Sequence, residues 1–153
     1  MKFVAGKKTV GAALKNREKL RHIVVNGKRY LWNYFYDDMD FANYPYSYYL
    51  FVPEENQRLK VRVYFTKYEP QMNIDVYPTE GTVCLYKDEQ CEMNMCRPYF
   101  ARQMIAYVFA NCCHDTDAGE LEIRNGEAVL EELGYSDFYE KFWEDIKSKK
   151  GFR

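Results

Sequence analysis

Histidine and serine are scarce in this 153-residue chain: only His22 and His114, and only Ser47, Ser136 and Ser148. Nucleophilic catalysis needs a Ser, Cys or Thr beside an oriented base, so that scarcity leaves little to build one from. No run approaches the ~20 apolar residues that cross a bilayer. There is no glycine-rich phosphate loop and no dinucleotide fingerprint. From Met1 to Lys8 only Phe3, Val4 and Ala5 are apolar before two lysines, too few for the apolar core of an export signal. Cysteine is present but odd in number, with Cys84, Cys91, Cys96, Cys112 and Cys113. Without an export signal these are expected to be reduced thiols in a cytoplasm.

Aromatic residues are abundant: 15 Tyr, 10 Phe and 2 Trp make up 18% of the chain. Tyrosine hides apolar ring area while its hydroxyl seeks a polar partner, which suits the rims of cores and binding faces. A chain of this length normally folds around one core, so a single domain over 1–153 is expected. Net charge is only −1, yet it is segregated. Residues 1–29 carry +8, residues 30–114 carry −4 and residues 115–153 carry −5. Such asymmetry suits either a polyanion contact at the basic end or attraction between the two ends within the fold.

Local patterning places the elements. Thr9 can cap a short basic helix within residues 1–19. Asn26-Gly27 lies between two apolar strands, and this pair accepts the positive φ angles of a type I′ turn. The resulting hairpin sets Ile23 opposite Tyr30 and Arg21 opposite Trp32, where a cation–π contact fits. A loop over 37–45 leads to a strand over 46–52. Leu59, Val61, Val63 and Phe65 then alternate with Arg58, Lys60, Arg62 and Tyr64, and Met72, Ile74 and Val76 alternate with Asn73, Asp75 and Tyr77. A strand over 83–86 completes a sheet region spanning 20–86. The main helix is expected over 97–112, opened by Pro98, with Phe100, Ala101, Met104, Ile105, Val108 and Cys112 on its apolar stripe. Leu121–Ile123 reads as one more short strand. Helices follow over 126–133, stopped by Gly134, and over 136–147, capped by Ser136, forming a C-terminal helical segment 126–147. The fold class is therefore α+β. An antiparallel meander of five or six strands carries the main helix on one face, with short helices at the termini.

The strand Gly27-Lys28-Arg29-Tyr30-Leu31-Trp32, followed by a meander and a proline-led helix, resembles small uncharacterised bacterial α+β proteins sharing a Gly-x-x-Tyr-x-Trp strand and a late helix near a proline. The resemblance covers about residues 20–124. It departs at Asn111-Cys112-Cys113, where a Gly-Trp ending is the pattern. It implies a fold and a bacterial setting but no activity, since those proteins have none assigned.

For metal, Cys91, Cys96, Cys113 and His114 are the candidate ligands, though the spacing lacks the tight x2 pairs of structural zinc sites. Asp115-Thr116-Asp117-Ala118-Gly119 opens like a calcium loop, but Gly126 stands where a bidentate Glu is required, so a turn is expected. Cys96 with His22 and Cys113 with His114 are the conceivable nucleophile–base pairs. No cofactor is implied, and the chain is expected to catalyse nothing. Binding is the leading expectation. The candidate surface is a sheet face carrying Arg58, Lys60, Arg62, Tyr64 and Tyr77, together with the Trp32 and Tyr34 side of the hairpin; equally, the terminal helices can cover this second face and make its tyrosines core. The expected partner is another protein, as for an immunity protein or inhibitor. Nucleic acid, through the basic N-terminal segment and the Arg/Lys-bearing face, is the alternative, and a small-molecule enzyme or sensor with an aromatic pocket is a third.

Overall fold

The computed structural model describes residues 20–36, 46–65, 68–69, 74–75 and 82–140. The expected basic helix within 1–19, the 37–45 loop, Met72, Asn73, Val76, Tyr77 and residues 141–147 of the last expected helix lie outside them. The main sheet has five strands in the order β1 (Arg21–Val25), β2 (Lys28–Phe35), β3 (Ser47–Pro53), β4 (Leu59–Phe65) and β9 (Gly119–Ile123). The Asn26-Gly27 turn forms as expected, with φ of 52° and 81°, and pairs Ile23 with Tyr30 and Arg21 with Trp32. The Arg21 guanidinium lies 4.3 Å from the Trp32 ring centre.

The sheet is mixed, not a pure meander. β1 to β4 are antiparallel neighbours, but β9 joins β4 in parallel, setting Val61 beside Leu121 and Val63 beside Ile123. The chain reaches that position after crossing over through the helix α1 (Pro98–Asn111), since a parallel pairing needs a long connection. A two-stranded piece pairs β5 (Tyr68–Glu69) with β6 (Ile74–Asp75). A separate three-stranded sheet has the order β10 (Tyr135–Glu140), β7 (Thr82–Tyr86), β8 (Glu89–Met93). β7 extends the strand expected over 83–86, while β8 has no counterpart in the sequence reading.

Helix α1 buries Phe100, Ala101, Met104, Ile105 and Val108, as its stripe requires. Cys112 is a correction: it is the C-cap residue and is exposed, because the helix ends at Asn111. α2 (Gly126–Leu133) matches its expected bounds, capped by the Asn125 side chain accepting from the Ala128 N–H and closed by Gly134 in the left-handed conformation at φ 107°. The helix expected from Ser136 is overturned over its described part. Residues 135–140 are β10, antiparallel to β7 with Tyr135 opposite Tyr86 and a bulge between Ser136 and Tyr139. Gly134 ends α2 by redirecting the chain, and burial of Tyr135 against Tyr86, with ring centres 4.7 Å apart, holds the next stretch extended.

The core has two parts. Under α1 lie Tyr30, Trp32, Tyr34, Tyr49, Phe51, Leu59, Val61, Val63 and Phe65, joined by Met93 and Met95 from β8 and the turn after it. On the opposite face Phe35, Tyr48, Leu50, Val52 and Tyr64 form a second buried cluster. Every residue of β3 is consequently buried. Each fully buried large side chain contributes about 1.5–3 kcal/mol of transfer free energy.

Candidate functional site

Three turns meet at one end of the main sheet. The Asn26-Gly27 hairpin tip, the 53–57 turn and the 113–118 turn after α1 enclose a cleft of about 690 Å³, lined by Val24, Gly27, Lys28, Arg29, Tyr30, Pro53, Glu55, Asn56, Asp115 and Thr116. Asn56 holds two of the turns together, its amide donating to the carbonyls of Asp115 (2.9 Å) and Asp117 (2.7 Å). The Glu54 N–H donates to the Arg29 carbonyl at 3.0 Å and fixes the third. The 113–118 turn closes on itself, with the His114 N–H donating to the Asp117 carboxylate at 2.9 Å. The turn expected for the Asp115–Gly119 stretch is thus the one formed.

The cations at the cleft are paired with carboxylates of the chain, while Glu55 stands exposed on its wall. The Lys28 ammonium donates to the Asp115 carboxylate at 2.5 Å, and that hydrogen bond, followed by the carboxylate's charge, raises the Lys28 pKa. Arg29 lies 3.8 Å from Glu54, and His22 Nδ1 lies 2.6 Å from the other Glu54 oxygen. Tyr30 forms part of the wall, its ring 4.8 Å from that of Phe109. Burial, then the nearby Asp115 carboxylate, pushes its hydroxyl pKa up. Burial, then Asp117, pushes the Cys113 thiol up to about 11. A thiol so shifted is held protonated near neutral pH and is a poor nucleophile there. Val24 remains 54% exposed beside the paired charges.

The candidate residues of the sheet do not share one open face. Trp32 and Tyr34 are buried beneath α1, whereas Arg58, Lys60, Arg62 and Tyr64 lie on or toward the other side. Arg58 is exposed, and Lys60 is half-buried with its ammonium donating to the Gln57 carbonyl. Arg62 is buried, and its Nη1 donates to Glu120 at 2.9 Å. Tyr64 is 3% exposed, with the Arg124 guanidinium 5.1 Å from its ring. Tyr77 lies outside the described residues. The parallel register explains the basic ladder of β4: Lys60 and Arg62 stand beside Glu120 and Glu122 of β9. Opposite charges facing across strands stabilise the sheet, which gives those cations a structural role.

Among the described residues no three His, Cys, Asp or Glu side chains come together in a group able to hold a metal ion, so Cys91, Cys96, Cys113 and His114 are not assembled into one site. His22 is engaged by Glu54, away from the pairing considered with Cys96, whose carbonyl instead accepts from Arg21 at 2.6 Å. Among the described residues no helix is long and apolar enough to cross a membrane. Nothing local in the sequence marks Lys28 or Asn56 as site residues, and Asp115 stands out only as the start of a calcium-like stretch. The one available signal was charge segregation, of which Lys28–Asp115 is a direct realisation across 87 residues.

Fold and cleft together define an α+β protein with a mixed five-stranded sheet and, at its hairpin end, a cleft whose cations are paired within the chain. No protein-family model, curated protein or solved structure matches this chain.

Proposed function

We propose that this chain is a non-catalytic binding protein of the inhibitor or immunity type, and that it engages another protein at the cleft between its three turns. The carrying observation is the composition of that cleft. Val24, 54% exposed, supplies apolar area at the mouth, above a wall that includes the buried Pro53 and Tyr30, and Lys28, Arg29, Glu54 and Asp115 around it are matched to each other. Protein interfaces share this arrangement, an apolar centre depleted of unpaired charge inside a polar rim. A nucleic-acid site needs cations free to neutralise phosphates. Lys28 and Arg29 of the cleft, and Arg62 of β4, answer carboxylates within the chain, which favours a protein partner.

The test is retention of a partner by the immobilised full chain from extract of its source cells, with nuclease present. A protein held by the wild type, lost at least about tenfold with Val24→Glu (about 1.4 kcal/mol) and kept by the distant Glu132→Lys, is the expected result. Retention abolished by nuclease, or indifferent to Val24→Glu, overturns the proposal. So does the absence of any retained protein.

A further inference from the structure

Two cysteines face each other across the β7–β8 hairpin. Cys84 and Cys91 are direct cross-strand partners, and the hairpin turns on Lys87 and Asp88 alone, at φ of 50° and 72°. A two-residue turn makes Tyr86/Glu89 a hydrogen-bonded pair, and alternation along the ladder makes Cys84/Cys91 another. Such pairs hold their Cα atoms ~5.5 Å apart, inside the ~4.4–6.8 Å that disulfides span. Their Cβ atoms stand ~4.5–5.5 Å apart, slightly beyond the ~3.5–4.5 Å of a disulfide. Closing the bond therefore asks the two strands to draw together and asks no other element to move.

The pair is also asymmetric in access. Cys84 is fully buried in the main core, whereas Cys91 is half-buried on β8, an outer strand of its sheet among the described residues. We propose that Cys84 and Cys91 are a modification site that closes to a reversible cross-strand disulfide, by exchange with a low-molecular-weight disulfide such as oxidised glutathione. The Cys91 thiolate attacks one glutathione sulfur, forming a mixed disulfide and expelling one glutathione thiolate, which takes up a proton. Burial holds the Cys84 thiol protonated near neutral pH, so the second step is the slower one: Cys84 passes its proton to the departing glutathione sulfur as it attacks the Cys91 sulfur, forming the cross-strand bond and releasing the second glutathione. Two protein thiols are oxidised and one glutathione disulfide is reduced to two thiols. Strand spacing a little too wide for the bond makes the product readily reversed by added thiol.

The experiment uses the reduced full chain in its folded state. It is incubated with oxidised glutathione, quenched in acid, alkylated in denaturant and digested with trypsin without reduction. Cleavage after Lys87 separates the two cysteines, so the bond appears as residues 68–87 joined to residues 88–102, with fragmentation placing it on Cys91 and not Cys96. We expect two of the five thiols to be lost in this linkage and recovered with dithiothreitol. Cys84→Ser should hold Cys91 as a glutathione adduct, and Cys91→Ser should leave Cys84 reduced. Should a variant not fold, the wild-type map decides alone. Five thiols still free, glutathione persisting on Cys91 of the wild type, or linkage to Cys96, Cys112 or Cys113 overturns the proposal.

Discussion

Among the tyrosines the hydroxyl, more than the ring, decides the role. Tyr49 is fully buried, and its hydroxyl donates to the Met95 carbonyl at 2.8 Å, with the Met95 sulfur 3.0 Å away. It thereby ties the central strand to the turn that leads into α1. Tyr135 does the same from β10, donating to Gln103 of α1 at 2.9 Å, and Tyr34 donates to the buried Ser47 hydroxyl. Arg21 over Trp32 is a different case, since its guanidinium is only partly buried and cation–π contacts there contribute about 0.5–1 kcal/mol. Removing the Tyr49 hydroxyl leaves a buried carbonyl without its donor, which costs about 1–3 kcal/mol. Tyr49→Phe should therefore lower the urea midpoint by that amount at unchanged slope, the ring packing being kept. A change within about 0.5 kcal/mol would remove the hydroxyl from the list of structural ties.

At the scale of elements, two hairpins show what a sequence displays and what it hides. Asn26-Gly27 and Lys87-Asp88 adopt nearly the same backbone, with φ of 52° and 81° in one and 50° and 72° in the other. Only the first announces itself, because Asn-Gly is the pair that type I′ turns favour, whereas Lys takes positive φ at a cost and Asp, though more tolerant, lacks the freedom of Gly. β8 went unread for that reason. β10 was hidden differently. Ser136 and Asp137 look like a helix start, but the long-range pairing of Tyr135 with Tyr86 outweighs a local cap, and no local pattern encodes a partner some 50 residues away. α1, α2 and the first hairpin were legible because their signals are local. The cleft was not, since its three turns come from distant parts of the chain. The strained second turn carries a prediction. Asp88→Gly relieves the left-handed strain while keeping Lys87 over the Tyr86 ring, where its ammonium lies 5.2 Å from the centroid. Relief of strain exceeds the added freedom of the unfolded chain, so stability should rise by about 0.5–1 kcal/mol in thermal or urea unfolding. No gain, or a loss, would show that Asp88 contributes through contacts of its own.

For the whole molecule, the decisive fact is that the centre of the sheet, around β3, is buried on both faces. Alternation in β4 showed one dry side, and the charge of Arg62 marked the other as wet. That inference failed because Glu120, which lies 58 residues further on, pairs with Arg62 and lets it be buried. Two-sided burial also fixes how the protein responds to alkali. Burial is the largest cause raising the hydroxyl pKa values of Tyr49, Tyr64 and Tyr135 well above the ordinary 10.0, and it raises those of Tyr30 and Tyr46 in the same direction. In the unfolded chain these groups lose protons near pH 10, whereas in the fold they hold them. The unfolded state therefore binds fewer protons above pH 10, and stability falls as pH rises through that range. Lys28 acts with the same sign, since its raised pKa contributes stability that is present below 10.5 and lost above it. Well below pH 10 none of these groups makes stability vary with pH. Alkaline titration should then show two classes of tyrosine. Exposed hydroxyls ionise gradually near pH 10, and the buried ones ionise together in a steep step that coincides with loss of the far-ultraviolet circular dichroism. All 15 tyrosines ionising along one ordinary curve, with the dichroism intact, would mean that the second face is open to water. The two-sided core would then fail with it.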